Sequence, residues 1–316
     1  MSDPYGMPSR LDASKFSLTP DALAIFSRMT RIRDEEQLKT HLIEQTRKAY
    51  EEVYRYPCLL KFGHLDFRMT MHPLYGAVVK QGIDTSRPGR FLLDIGTAVG
   101  TDARRVVLDG WPSERVYGVD INKKLIDIGR SMFCDSPFSN GIIFVVGDIF
   151  ADKFVDPSLQ PSWQKFHSNS FSSLRPPSTL HCFAGRFTSI YAGSLFHLFD
   201  RETQTDLAKR LLSLAALPTV KGKPTFIFGR QVGREPAGYD PVEDIDKWRD
   251  VRSGKAIFRH SADTWKLMWS ELSAAVKDAG IKVVLNAESK GFETAEEHAR
   301  GYEEHRLLYW SVELTM

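Results

Sequence analysis

Cysteines and long apolar runs are scarce in this sequence. Its 316 residues include three cysteines, Cys58, Cys134 and Cys182, which are odd in number and form no C-x-x-C pair. This excludes a disulfide framework and gives no indication of a zinc site, so we expect a reducing, cytoplasmic environment and no metal. The longest apolar run, Ile142 to Val146, is much shorter than the ~18 residues that cross a bilayer, so we expect no membrane span.

An excess of charge is also missing. The 42 lysines and arginines nearly cancel the 40 aspartates and glutamates, leaving a net charge of +2. Because the sequence has neither a basic run nor an N-P-P-Y-like motif, we expect no nucleic-acid partner and favour a small-molecule ligand. The first ten residues carry an acid, two prolines and a glycine where a signal peptide is basic and then apolar, so we expect no export.

The N-terminal third of the chain has helical patterning. The first 18 residues are rich in Ser, Pro and Asp and are interpreted as a flexible tail, whereas Thr19 and Pro20 have the residue types that start a helix. Apolar residues recur at helical spacing from Asp34 to Tyr54, which predicts an amphipathic helix. Residues 19–89 are therefore predicted to form a helical cap that packs on another surface.

After residue 90, short apolar runs alternate with helical stretches. The predicted strands are residues 91–95, 116–119, 142–146, 188–192, 225–228, 281–285 and 307–312. Strands that alternate with helices predict an α/β domain with a parallel sheet, here over residues 90–316. Residues 152–185 interrupt the pattern with a long Ser/Pro-rich loop, which is typical of a lid or a disordered insertion.

Acidic residues end the first three predicted strands. Asp94 ends the first and is followed by Gly96 and Gly100, and glycine lets the backbone adopt positive φ and approach a ligand closely. Asp120 ends the second strand, where a carboxylate can accept hydrogen bonds from two ribose hydroxyls. Asp148 ends the third. Three such acids on successive strands indicate a nucleotide-like ligand.

This pattern resembles the cofactor motifs of class I S-adenosylmethionine-dependent methyltransferases, with Ala98 at the middle position of G-x-G-x-G. The resemblance implies a Rossmann-like sheet of order 3-2-1-4-5-7-6 with the last strand antiparallel. It also implies S-adenosylmethionine as cofactor, with S-adenosylhomocysteine as product. The cofactor-binding residues it implies are Asp94, Gly96, Thr97, Gly100, Asp120, Ile121, Asp148 and Ile149.

Two later stretches, Phe187 to Asp200 and Phe226 to Gly233, resemble methyltransferases of fungal polyketide and meroterpenoid pathways. Several members of that family esterify a carboxylic acid, which implies a small carboxylic acid as acceptor. A guanidinium binds a carboxylate through two parallel hydrogen bonds, so Arg230 with Gln231 is predicted to hold the acceptor. The remaining candidates are His197 as a catalytic residue and Tyr56, His72 and Tyr75 as cap residues that line the acceptor pocket together with His197 and Arg230.

Alternatives remain open for the reaction. A carboxylic acid with a pKa near ~4 is already ionised at neutral pH, whereas a phenol with a pKa of ~10 needs a base, for which His197 is the candidate. An amine acceptor is a further possibility, and a non-catalytic binding protein would keep the fold with a broken site. A dinucleotide-binding protein is disfavoured because G-x-G-x-x-G is missing and Asp94 would repel a pyrophosphate. Monomer and homodimer both fit the sequence.

Overall fold

The computed structural model describes residues 8–86, 89–135, 141–158, 177–240, 249–250, 252–278, 280–291 and 304–316. The strands are β1 (Leu92–Ile95), β2 (Val116–Asp120), β3 (Ile143–Val146), β4 (Ser189–Tyr191), β5 (Thr225–Arg234), β6 (Gly238–Tyr239), β7 (Phe258–Arg259), β8 (Lys282–Lys290) and β9 (His305–Thr315). Seven of them form one sheet in the order β3-β2-β1-β4-β5-β9-β8, and β6 and β7 form a separate hairpin. Strands β1 to β5 are parallel to one another, and β9 is antiparallel to both β5 and β8. The predicted Rossmann-like α/β fold and its strand order are confirmed.

The helices are α1 (Pro20–Thr30), α2 (Glu35–Glu52), α3 (Pro57–Leu60), α4 (Tyr75–Ile83), α5 (Thr101–Leu108), α6 (Lys123–Met132), α7 (Arg201–Leu214), α8 (Ala262–Leu272) and α9 (Ala274–Asp278). Residues that precede a helix and can accept a hydrogen bond mark several of their starts, as the sequence predicts for Thr19. Thr19, Asn122 and Asp200 each accept from a backbone N–H in the first turn of α1, α6 and α7. None of the described helices combines the length and the apolar character needed to span a bilayer.

Helices cover both faces of the sheet. Side chains alternate between the two faces along each strand, so apolar strand residues pack against helices on both sides. On one face, Ile190, Ile227 and Trp310 pack in one buried cluster with residues of α7 and α8. On the other face, Leu92 and Phe228 belong to a cluster with residues of α4 and α5. The carboxyl ends of β1, β2, β4 and β5 therefore meet at one edge of a rigid layer, where ligands of such sheets bind.

The cap packs on α6 through the stripe that the sequence predicts. Leu38, Leu42 and Ala49 of α2 are fully buried and share a cluster with Leu125 and Met132 of α6. A helix of this length is stable in water mainly through such burial of an amphipathic face. The cap therefore rests directly on the helix that follows β2.

Some elements differ from the prediction. The segment assigned to a tail includes a 3-10 turn at Ala13–Lys15, and the Leu11 N–H donates to Glu51 Oε1 at 3.0 Å. Strand β5 runs six residues beyond the predicted Phe228 because its polar end pairs with β9 as far as His305. The β6–β7 hairpin was not predicted. In the long loop, residues 159–176 lie outside the described residues, while Phe183 is buried in the core.

Candidate active site

A tight turn joins β1 to α5. Gly96 and Gly100 have φ values of 73° and 76°, and Ala98, at the position where the motif has glycine, has a φ of 49°. The N–H groups of Gly96 and Thr97 both donate to the carbonyl of Val119 in β2, at 2.8 and 3.0 Å. An alanine at positive φ costs about 1–2 kcal/mol, which the surrounding hydrogen bonds offset. The departure from the motif at residue 98 thus leaves the glycine-type conformation intact.

Two buried carboxylates flank this turn. Asp94 Oδ2 accepts from Thr97 Oγ1 at 2.6 Å, and burial, together with the charge of Asp102, raises the pKa of Asp94 to about 8. Asp120 accepts from the N–H groups of Ala98 and Asn122, at 2.9 and 2.8 Å, while burial raises its pKa. Buried carboxylates with raised pKa values favour a ligand that brings a positive charge or several hydroxyl donors.

The third predicted acid has partners at both oxygens. Asp148 Oδ1 accepts from the Phe150 N–H at 3.0 Å, and Asp148 Oδ2 accepts from Arg252 Nη1 at 2.8 Å. Of the two predicted apolar neighbours, Ile121 is 64% exposed and Ile149 is buried. An exposed isoleucine directly after Asp120 offers an apolar surface to a ligand at this edge.

Tyr56 lies on the same side of the site as Asp120. Burial and the charge of Asp120 both raise the pKa of the Tyr56 phenol, and its ring centroid lies 4.1 Å from that of Tyr54. The structure therefore brings this cap residue to the predicted ribose acid, whereas the sequence assigned it to the acceptor pocket.

A second polar cluster lies beyond the end of β4. Arg68, on a 3-10 turn of the cap, donates from Nη1 to Ser194 Oγ at 3.1 Å. Arg230, buried on β5, directs Nη1 to Tyr309 Oη at 3.3 Å. The charges of both guanidinium groups act to lower the pKa of Tyr191. The Tyr191 hydroxyl is buried and has no hydrogen-bond partner among the described residues. The cluster therefore offers two cations and an unused hydroxyl.

Asp102 connects this cluster to the glycine turn. It is the second residue of α5, and its Oδ1 accepts from the Met69 N–H of the cap at 2.9 Å. Burial raises the pKa of Asp102 to about 7, although Arg68 and Arg230 act to lower it. The two guanidinium groups therefore face an acid that is only partly ionised at neutral pH.

His197 lies in a 3-10 turn between β4 and α7. The N–H of Val232 donates to His197 Nδ1 at 3.4 Å, and Arg259 Nη1 donates to the His197 carbonyl at 2.8 Å. Because Nδ1 accepts, the proton of the neutral imidazole is on Nε2. In this state Nε2 can donate a hydrogen bond and cannot accept a proton.

Three predicted acceptor residues do not direct a polar group to this cluster. Gln231 follows Arg230 in β5 and so points to the opposite face of the sheet, which rules out a joint clamp. His72 is buried with Nε2 3.1 Å from the carbonyl of Trp310 and Nδ1 accepting from Leu74 N–H, and burial lowers its pKa to about 4. These contacts give His72 a packing role.

Tyr75 is also engaged elsewhere. Its hydroxyl donates to Asp109 Oδ2, just past the C-terminal end of α5. Helix α5 begins at the glycine turn and rises ~1.5 Å per residue, so Asp109 lies about 12 Å from the site. Tyr75 therefore fixes α4 to α5, away from the strand ends.

Arg68, Ser194 and Tyr191 were missed as site residues. Arg68 lies 126 residues from Ser194 in the sequence, and no local motif connects them. Gly63 is a sequence feature that fits the position of Arg68, since a Cβ at residue 63 would lie 2.6 Å from Arg68 Nη2. Within the described part of the chain, no group of His, Cys, Asp or Glu is arranged to hold a metal ion.

This chain is similar in sequence to known methyltransferases. The family model described as meroterpenoid methyltransferase N-terminal domain matches residues 12–65, which include all of α1, α2 and α3. O-methyltransferase phiE of a fungal species is 28% identical over 73% of this chain and 64% of its own length. O-methyltransferase atr3 of Stereocaulon alpinum is 26% identical over 76% of this chain and 58% of its own length. The chain thus spans about three fifths of these two relatives.

A third relative is covered over more of its own length. Methyltransferase adrK of Penicillium roqueforti is 28% identical over 84% of this chain and 79% of its own length. Among solved structures, phosphoethanolamine N-methyltransferase 2 of Haemonchus contortus aligns with a TM-score of 0.45 at 10% identity, over 75% of this chain and 51% of that one. The sequence similarities confirm the predicted resemblance to class I methyltransferases of fungal pathways.

Proposed function

We propose that this protein is an S-adenosylmethionine-dependent O-methyltransferase of a fungal biosynthetic pathway that converts a small carboxylic acid to its methyl ester. Relatives named as O-methyltransferases support transfer to oxygen. The observation that carries the carboxylate assignment is the cluster at the end of β4, where Arg68 meets Ser194 and Arg230 lies buried on the neighbouring strand.

The residues around the glycine turn fit the cofactor. Asp94, with its raised pKa, suits the ammonium group of the methionine part, and Asp120 suits the ribose hydroxyls. Ile121, which is exposed directly after Asp120, offers an apolar surface to the adenine ring. S-adenosylmethionine supplies a methyl group already activated by its sulfonium, so the protein contributes mainly alignment and exclusion of water.

Arg68 and Arg230 suit a carboxylate acceptor. An ionised acid needs no base, and a guanidinium fixes its plane through parallel hydrogen bonds. Tyr191, buried among the same charges, can add a neutral donor. Recognition by these donors leaves one carboxylate oxygen to act as the nucleophile.

The tautomer of His197 also favours a carboxylic acid as acceptor. With Nδ1 accepting from Val232, the neutral ring offers an N–H donor at Nε2, which suits a carboxylate oxygen. A phenol or amine acceptor would need Nε2 without its proton, and this tautomer does not provide it. These alternatives are therefore the weaker candidates. A monomer or homodimer and a cytoplasmic location stay predictions.

The test is the chemistry of the transferred methyl group. Purified protein is incubated with methyl-labelled S-adenosylmethionine and a panel of polyketide-like compounds that carry a carboxylic acid, a phenol or an amine. A methyl ester releases its label as methanol in alkali, whereas an ether or a methylamine retains it. We expect alkali-labile label on carboxylic acids alone. Alkali-stable label would contradict the carboxylate assignment, and no label on any compound would count against methyl transfer.

A further inference from the structure

A buried polar network lies outside the site and is not used by the proposed reaction. Arg259 of β7 donates from Nε to both oxygens of Asp240 at 3.0 Å and from Nη2 to Oδ2 at 2.6 Å. His305, at the start of β9, has Nε2 3.3 Å from Asp240 Oδ1. Asp240, Arg259 and His305 are each at most 6% exposed. Asp240 stays ionised, because its partners His305 and Arg259 outweigh burial and hold its pKa well below the ordinary value.

A further hydrogen bond connects Arg259 to a residue outside the ion pair. Arg259 Nη1 donates to the carbonyl of His197 at 2.8 Å, across 62 residues of sequence. The 3-10 turn that carries His197 has only three residues, Phe196–Leu198, and a turn this short has little rigidity of its own. The contacts at the His197 carbonyl and at Nδ1 come from β7 and from β5. External contacts therefore hold the imidazole in place.

We propose that Arg259 is a positioning residue, which Asp240 orients and which holds the His197 backbone so that Nδ1 keeps the Val232 hydrogen bond. This inference rests on the proposed function for its catalytic consequence, since it assigns His197 the role of donor through Nε2. Asp240 fixes the plane of the guanidinium, and the guanidinium fixes the carbonyl. This arrangement keeps the neutral His197 ring in the Nε2–H tautomer.

A purely structural role for the ion pair makes a different prediction. If Arg259 only secures the β6–β7 hairpin, a lysine that keeps the charge beside Asp240 leaves the His197 ring unchanged. A lysine carries one compact ammonium group in place of a planar fork, so it cannot serve Asp240 and the His197 carbonyl in the same way. Arg259→Lys therefore separates the two roles without leaving a buried carboxylate unpaired.

The experiment reads the tautomer of His197 by nitrogen NMR of the full chain labelled at histidine, without an acceptor. The resonances are assigned with His197→Gln, which leaves eight of the nine histidines. We expect a single Nε2–H tautomer in the wild type and an averaged signal in Arg259→Lys and Asp240→Asn. An unchanged His197 signal in a folded Arg259→Lys protein would overturn the proposal, as would a wild-type ring that does not carry its proton on Nε2.

A matched control and a second readout separate this proposal from the proposed function. Arg210, also buried and paired with Asp206 and Asp152, lies in α7, and Arg210→Lys should leave the His197 signal unchanged. A shift of that signal in Arg210→Lys would overturn the assignment to Arg259. With an acceptor found in the alkali assay, Arg259→Lys should lower kcat about 10-fold in the wild type and have no further effect in His197→Gln. Additive losses would overturn the coupling, whereas a protein that methylates nothing contradicts only the proposed function.

Discussion

The two halves of the candidate site are built in different ways. The cofactor half consists of the turn after β1 and the acid that ends β2, so Asp94 and Asp120 lie 26 positions apart in the sequence. The acceptor half joins Arg68 to Ser194 across 126 residues, and its His197 is bonded to Arg259, outside the site, across 62 residues. A site formed within one βαβ unit leaves a pattern in the sequence, whereas a site formed by the sheet and its cap does not.

The cap contributes to both halves. Tyr56 lies near Asp120, and Arg68 reaches Ser194 at the end of β4. Met69, next to Arg68, donates to Asp102 at the start of α5. Residues of one cap therefore contact both halves of the site.

The largest expected effect comes from damage to the packing beneath the cofactor half. A Cβ at Gly129 in α6 would lie 2.1 Å from the carbonyl oxygen of Val99, and backbone atoms there have little room to move. We expect Gly129→Ala to lower the free energy of unfolding by about 1–3 kcal/mol, as overpacked positions do, and to weaken S-adenosylhomocysteine binding. Urea unfolding and calorimetric titration measure the two effects.

Gly76 provides the matched control for that substitution. It lies in α4 with no atom within 4 Å of an added Cβ. Gly76→Ala should stabilise the protein by about 0.5–1 kcal/mol, because alanine is the better helix former. If both variants were equally stable, close packing of α6 on the turn would not be a feature of the molecule.

A substitution in the acceptor half should separate the two halves. Arg230→Met removes one guanidinium but keeps an apolar side chain in the same buried position. Loss of a charge-assisted hydrogen bond costs about 1.5–3 kcal/mol, so we expect kcat/KM for a carboxylic acid to fall by roughly 10- to 100-fold. Binding of S-adenosylhomocysteine should change less than about twofold. Equal losses in cofactor and acceptor binding would contradict the division into halves.

A smaller effect concerns protons in the cofactor half. The pKa of Asp94 is about 8 in the free protein, so this carboxyl group is mostly protonated at pH 7. A bound ammonium group favours the ionised form and lowers that pKa, so cofactor binding should release protons at pH 7 and strengthen as the pH rises toward 8. Titration in buffers with different ionisation enthalpies measures the release.

Asp94→Asn should reduce this proton release. Asp102, with a pKa of about 7, remains in that variant and accounts for a residual release. Proton uptake by the wild type, or the same release in Asp94→Asn, would show that Asp94 does not face a cationic group of the ligand.

The sequence predicts the fold well, and it also marks the residues proposed for the cofactor half, for a common physical reason. The features involved are local: strand periodicity, helix caps such as Asn122, and an acid before a glycine turn. Each extends over a few consecutive residues, so it can be recognised from one short segment of sequence. The end of β5 was missed because its residues 229–234 are mostly polar and form a strand only through pairing with β9. Tertiary context determines that extension.

The roles predicted for the acceptor half stay predictions. Arg230 and His197 were chosen from their positions after strands, and Gln231 was joined to Arg230 although neighbours in a strand face opposite ways. His72 and Tyr75 were chosen as polar aromatic cap residues, and each has a structural partner that the sequence does not reveal, Trp310 for His72 and Asp109 for Tyr75. Side-chain pairing across the fold decides such roles.

The central claim is that the turn after β1, with Asp120, holds the cofactor, and calorimetric titration with S-adenosylhomocysteine tests it most directly. Asp120→Ala is compared with Asp127→Ala, which removes a partly exposed acid of α6 that pairs with Lys123 and Arg130. We predict binding to the wild type and to Asp127→Ala, and at least ~10-fold weaker binding to Asp120→Ala. Equal binding by all three proteins, or binding of NADH in place of S-adenosylhomocysteine, would contradict the account.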